Sequence, residues 1–145
     1  MDPLTSSIGL LTSIAQLSIY ITTFVRGVRD ARQDMDAVLR ELKSLELCLE
    51  TLRDDCSDPK VQYPPRVKQM LTGTMSNCDQ VTKEMTALLT TVSPGGLSAV
   101  RWTITASGDM NKLRSSLAAH KQAIDIALEM WTLYVADLYR LSACA

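Results

Sequence analysis

Residues 3–25, PLTSSIGLLTSIAQLSIYITTFV, hold no charged side chain between Asp2 and Arg26. As a helix rising about 1.5 Å per residue the segment spans roughly 30 Å, close to the hydrocarbon thickness of a bilayer. Thr5, Ser6, Ser7, Thr12, Ser13, Gln16, Ser18, Thr22 and Thr23 interrupt its apolar residues and weaken transfer into lipid. Leu4, Ile8, Leu11 and Ala15 form one apolar row; Leu10, Ile14, Leu17, Ile21, Phe24 and Val28 form another, both at three- and four-residue steps. Thr5, Gly9, Thr12, Gln16 and Thr23 share the narrow face that remains. A helix apolar over most of its circumference belongs inside a bundle or inside a membrane.

The downstream sequence favours the bundle. Gly27 is a break, and Asp30 with Gln33 resembles a capping box that opens a second helix. Met35, Val38, Leu42, Leu45, Leu49, Leu52 and Cys56 then recur at alternating steps of three and four, with Arg40, Glu41, Lys43, Glu46, Glu50 and Arg53 between them. That is a single-faced amphipathic helix. Asp58-Pro59 and Pro64-Pro65 bracket a turn, and Pro65 suits the first position of a third helix. Its predicted inward stripe is Val67, Leu71, Thr74, Cys78, Val81, Met85, Leu88 and Val92. Gly73 and the many threonines lower its intrinsic propensity, so it needs tertiary packing. Ser93, Pro94, Gly95 and Gly96 stop it.

Leu97–Thr105, with Val100, Trp102 and Ile104, reads as one or two helical turns lying against the bundle. Trp102 beside Arg101 fits either an interfacial anchor or an aromatic closing one end of the bundle, the commoner arrangement. The last helix is predicted from near Ser107, with Asp109 in its first turn. Its stripe is Met110, Leu113, Leu117, Ile124, Leu128, Trp131, Val135 and Leu138. The expected fold is therefore all-α: four long helices and one short one, in a bundle around the hydrophobic N-terminal helix. No internal linker is long enough to divide residues 1–145, so a single domain is expected.

Composition narrows the chemistry. Aromatic residues make up 5% of the chain, so aliphatic side chains must fill the core, which favours helices over a sandwich. The formal net charge of -1 supplies no global field for nucleic acid. Cys48, Cys56, Cys78 and Cys144 lack C-x-x-C spacing, and no basic region precedes the apolar run as in a signal peptide. Reduced thiols in a cytoplasmic protein are the expectation. His120 is the single histidine and falls at the edge of the last helix's stripe, where a packed core-edge role is far commoner than a catalytic one. Neither zinc-ligand spacing nor a phosphate-binding G-x-x-x-x-G-K-[ST] is present in the sequence. These features point away from an enzyme and imply no catalytic residue, cofactor, metal or small-molecule substrate.

Arg26, Arg29 and Arg32 follow the uncharged segment at three-residue steps. Near an anionic bilayer each contributes about 1 kcal/mol; the alternative is a solvated junction partly neutralised by Asp30, Asp34 and Asp36.

The opening MDPLTSSIGLLTSIAQLSIYITTFVRGVRDA resembles the start of fungal N-terminal domains found on STAND-type signalling proteins. That family is named for the N-terminal domain of the azaphilone pigment biosynthesis cluster protein L. The resemblance continues in LRELKSLELCLETLRDD (Leu39–Asp55) and LSAVRWTITASGDMNKLRSSLAAHKQAIDIALEM (Leu97–Met130). The family is similar to HeLo and HeLo-like cell-death domains, helical bundles whose N-terminal segment can leave the fold and enter membranes. The resemblance implies that Leu4, Ile8, Leu10, Leu11, Ile14, Leu17, Ile21, Phe24 and Val25 form the membrane-active element. It implies that the other helices shield this segment at rest; Arg26, Arg29 and Arg32 are the candidate lipid-contacting residues on the charge argument above. Family members commonly carry an NTPase module or repeats after this domain, and neither lies within these 145 residues.

The expected function is thus a non-enzymatic signalling or effector domain of a STAND or NLR-like protein. It is cytoplasmic, becomes membrane-associated on activation, and works with a protein partner or as a homo-oligomer at an anionic membrane surface. The alternative is an interaction adaptor whose first helix never leaves the core and which recruits a like domain through Leu47, Leu133 and Tyr134, residues off the main stripes.

Overall fold

A computed structural model describes residues 2–92, 102 and 106–144. It contains four long helices, α1 (Pro3–Gly27), α2 (Arg32–Ser57), α3 (Pro65–Val92) and α4 (Ser107–Cys144), and no strand among the described residues. The all-α expectation holds. The expected short helix at Leu97–Thr105 and the stop at Ser93–Gly96 lie outside the described residues, apart from Trp102.

Local chemistry sets the helix ends. Asp2 caps α1 by accepting the Thr5 backbone N–H at 2.7 Å, and Pro3 follows in the first turn, where no N–H is needed. Those backbone hydrogen bonds hold the Asp2 carboxyl below its usual range. The predicted capping box of Asp30 and Gln33 does not form. A three-residue 3-10 turn, Arg29–Ala31, feeds straight into α2, and Ala31 caps the helix in a helical conformation without a side-chain bond. Between α2 and α3, Asp58 builds the turn: its carboxylate accepts the Lys60 N–H at 2.9 Å and its carbonyl accepts the Val61 N–H at 3.0 Å. Pro65 opens α3 as predicted.

Cross-helix contacts fix the topology. Asp34, Ser44 and Cys48 on α2 meet Ser107, Lys121 and Asp125 on α4, so those helices run parallel. Ser13 meets Asp79, which together with the residues sharing the α1–α3 groove makes α1 and α3 parallel as well. α1 packs on α2 and α3, and α4 packs on the same two helices. The helices stand at the corners of a square, α1 diagonal to α4, and the 58–64 connection crosses the other diagonal. Tyr63, 5% exposed, plugs that end against Trp131, with ring centroids 5.2 Å apart.

The core is built from one stripe of each helix. On α2 it is Met35, Val38, Leu42, Leu45, Leu49 and Leu52, as predicted, with Cys56 half-buried at the margin. On α3, Met75 and Leu89 take the inward places expected for Thr74 and Leu88. A one-residue rotation is cheap for a 3.6-residue period, and at position 75 it exchanges a hydroxyl for an apolar side chain in the core. On α4 the buried stripe is Met110, Leu117, Ile124 and Ala127. Leu113, Leu128, Trp131 and Val135 are half-covered and Leu138 is exposed. The cause is length. At about 1.5 Å per residue α4 is nearly 60 Å long while its neighbours are about 40 Å, so its last three turns project past them.

α1 is a corner of the bundle, which forms around its inward stripe rather than around the whole helix. Leu10, Ile14, Leu17, Ile21 and Phe24 are buried, whereas Ile8 (49%) and Ile19 (69%) are exposed. Four helices of comparable girth close a square whose centre is filled by side chains, leaving no room for an enclosed fifth.

Small residues including Gly9, Ser13, Gly73 and Ser76 line a groove of about 580 Å³ between α1 and α3. A Cβ built on Gly73 has nothing within 4 Å. Gly73→Ala is therefore expected to stabilise the domain by about 0.5–1 kcal/mol through helix propensity alone, read from urea midpoints at constant m.

Candidate functional site

The residues singled out in the N-terminal segment do not share one surface. Leu10, Ile14, Leu17, Ile21 and Phe24 face the core; Leu4, Leu11 and Val25 are half-buried; Ile8 alone is exposed. The outer face of α1 is instead Thr5, Ile8, Gly9, Thr12, Ala15, Gln16, Ile19, Thr22 and Thr23, uncharged until Arg26 in the last turn. Ile19 escaped the sequence reading because it falls on neither apolar row. Its offset from Ile8, three full turns, was the available signal. By length and composition α1 can cross a membrane: an 18-residue window has mean hydropathy 1.6, and 28% of that window is buried.

Five of the hydroxyls that argue against lipid entry bond within their own helix. Ser7 donates to the Leu4 carbonyl, Thr12 to Ile8, Ser13 to Gly9, Thr22 to Ser18 and Thr23 to Ile19, at 2.8–3.2 Å. A hydroxyl bonded to its own helix needs no water and carries that bond into any environment the helix enters. Ser13 also donates to Asp79 at 2.9 Å, and Lys83 pairs with the same carboxylate at 3.0 Å, a polar clip between α1 and α3.

Arg26, Arg29 and Arg32 cluster, all exposed, where α1 passes into α2. Among the described residues none of them forms an ion pair. Asp34, expected to neutralise them in part, is turned to other work. Its Oδ2 accepts the Trp102 indole N–H at 2.9 Å and the Ser107 hydroxyl at 2.9 Å. Trp102, 1% exposed, lies 5.6 Å from Phe24 between ring centroids and closes that end of the bundle. Asp34 and Ser107 were invisible as partners in the sequence, since a surface aspartate and a helix-opening serine are ordinary there.

At the other end, Leu133 (67%), Tyr134 (51%), Leu138 (46%), Tyr139 (74%) and Leu141 (69%) stand exposed on the projecting turns of α4. Leu47 (54%) is exposed on α2, well above them, so the three residues proposed as an adaptor surface do not form one patch.

The residues weighed for chemistry are dispersed. His120 is half-buried on α4, where the adjacent Lys121 donates to Ser44 at 2.8 Å. The four cysteines are unpaired. Among the described residues no three His, Cys, Asp or Glu side chains converge as a metal would require. Cys48 donates to Asp125 at 3.2 Å; burial, reinforced by that carboxylate, pushes its thiol up to about 12. Burial does the same to Cys78, also to about 12, with Asp79 adding to it.

The sequence profile described as "Pigment biosynthesis cluster protein PigL N-terminal" matches residues 1–140. The chain belongs to this family. No curated protein and no solved structure matches it. The match covers all four helices of this PigL N-terminal domain apart from the tip of α4, so bundle and projecting helix alike fall largely within the family's span.

The thiols give a direct test of the geometry. The thiolate is the reactive species, so at pH 8 a thiol at about 12 is roughly one part in ten thousand ionised. Exposed Cys144 is expected to react first with iodoacetamide, and Cys48 and Cys78 only slowly until the protein unfolds. The linkage has one sign. A folded-state value raised from 9.0 to about 12 contributes stability that is present below pH 9 and lost as pH rises toward 12, which alkaline unfolding curves would record.

Proposed function

We propose that this PigL N-terminal domain is a non-enzymatic signalling or effector module of a STAND or NLR-like protein, with a latent, cell-death-type action at membranes exerted through α1. The observation carrying this reading is that α1 is a bundle corner held by one buried stripe, with an outer face uncharged from Thr5 to Thr23 and five hydroxyls already bonded within the helix. Between Thr5 and Thr23 such a helix can exchange its partners for lipid without burying a charge, and with five of its hydroxyl donors already satisfied. In this reading the protein rests in the cytoplasm, and Arg26, Arg29 and Arg32 supply attraction to anionic headgroups.

Release is not free. Uncovering Leu10, Ile14, Leu17, Ile21 and Phe24 costs on the order of 10 kcal/mol, comparable to the whole stability of a domain this size. Lipid, or oligomerisation with other copies, must offset it. The purified chain, cross-linked into oligomers, is expected to bind phosphatidylserine vesicles and release trapped dye. Replacing Arg26, Arg29 and Arg32 by Gln should weaken that binding roughly a hundredfold, at about 1 kcal/mol per residue. Absence of binding and leakage from the oligomerised protein refutes the reading.

A second reading is favoured by the projecting end of α4, whose exposed Leu and Tyr side chains exceed what a solvated helix needs. Here the domain is an adaptor that recruits a like domain while α1 stays docked. Sedimentation of Leu133→Glu/Tyr134→Glu should then show lost self-association; equal sedimentation of variant and parent removes that surface from consideration.

A further inference from the structure

The bundle holds α1 and α4 at opposite corners, yet one buried side chain links their ends. Trp102 packs at a tilt against Phe24, the last buried residue of α1, and donates its indole N–H to Asp34 in the first turn of α2. The same Asp34 oxygen accepts the hydroxyl of Ser107, the first residue of α4. That oxygen joins α2, α4 and Trp102, and Trp102 in turn reaches α1 through the Phe24 ring. An apolar plug would close the end as well, but it would not depend on a single acceptor. A buried indole N–H without a partner is costly, so Trp102 remains in place only while Asp34 is positioned to receive it. Farther along α1, a groove opens between it and α3. The Trp102 wedge is thus a polar-anchored restraint on the end of α1 that carries Arg26.

We propose that Asp34, acting through Trp102, is an autoinhibitory clasp that keeps the C-terminal end of α1 docked and couples it to the start of α4. Ser107 is a positioning residue that orients the carboxylate. The proposal rests on reading α1 as the releasable element, and its test separates the two.

Amide hydrogen exchange of the full chain, resolved by helix, is compared for the parent and Asp34→Ala, with Trp131→Phe in both so that emission reports Trp102. The expected result is exchange about tenfold faster over residues 18–27 and a red shift of the emission, with the core turns of α2 and α3 keeping their protection. Equal acceleration in all four helices, or unchanged exchange in α1, overturns the clasp. If Asp34→Ala does not fold, Ser107→Ala is read in the same way, with a smaller rise confined to α1 expected. Phosphatidylserine vesicles form a separate arm. An Asp34→Ala protein that opens α1 without gaining vesicle binding upholds the clasp and counts against the membrane function.

Discussion

The stripe Leu10, Ile14, Leu17, Ile21 and Phe24 has to be covered by two helices at once, and the rest of the structure follows from that requirement. α2 alone, connected to α1 by a few residues, shields one side of the stripe; α3 must come alongside to shield the other. Because α3 arrives from the far end of α2, it crosses the diagonal and runs parallel to α1. α4 then closes the square over the faces of α2 and α3 that α1 leaves bare. Each fully buried Leu or Ile contributes about 1.5–3 kcal/mol, so no pair of these helices would persist without the others.

Much of this was legible in the residues. α2 was the plainest case, because Leu42, Leu45, Leu49 and Leu52 sit among charges that fix the helix's rotation. α3 was read one residue off at Thr74 and Leu88, since threonines on every side leave its rotation poorly marked until neighbours choose Met75 and Leu89. For α1 the absence of charge obscured the answer. Periodicity marked the inward row correctly, but no charge identified the outward face, so an exposed Ile19 and a buried Ile21 look equivalent on paper. The Asp34 contacts lie beyond any such reading: their partners are more than 60 residues away, and only tertiary structure joins them.

Polar groups do more at the margins of this core than within it. Only Ser7 and Thr82 are buried polar residues among those described, and each donates back into its own helix. The cross-helix polar contacts are few and sit at the seams: Ser13 with Asp79, Cys48 with Asp125, Lys121 with Ser44, and Trp102 and Ser107 with Asp34. Such contacts add little net stability, but a misregistered helix would strand their donors, so they specify one alignment among the many that an aliphatic core tolerates. The seam between α1 and α3 has one clip and a groove beside it, whereas α2 and α4 share several contacts. Among the described residues α1 and α3, which share that one clip, are consequently the corners whose alignment polar contacts between helices enforce least.

The two ends of the bundle carry different surfaces. Trp102, Asp34 and the arginines lie where α1 ends; the exposed Leu and Tyr of α4 lie where α1 begins, about 40 Å away along a helix of this length. One planar surface cannot engage both ends of an upright bundle. In the reading proposed above, lipid attraction at the arginine end would leave the projecting turns of α4 free to meet protein, and association through α4 would leave Asp34 and Trp102 undisturbed. Under that proposal membrane action and self-association would be separable in one molecule: oligomerisation at one end would gather copies and raise the local concentration of arginine-bearing ends, while the fate of α1 would be decided at the other.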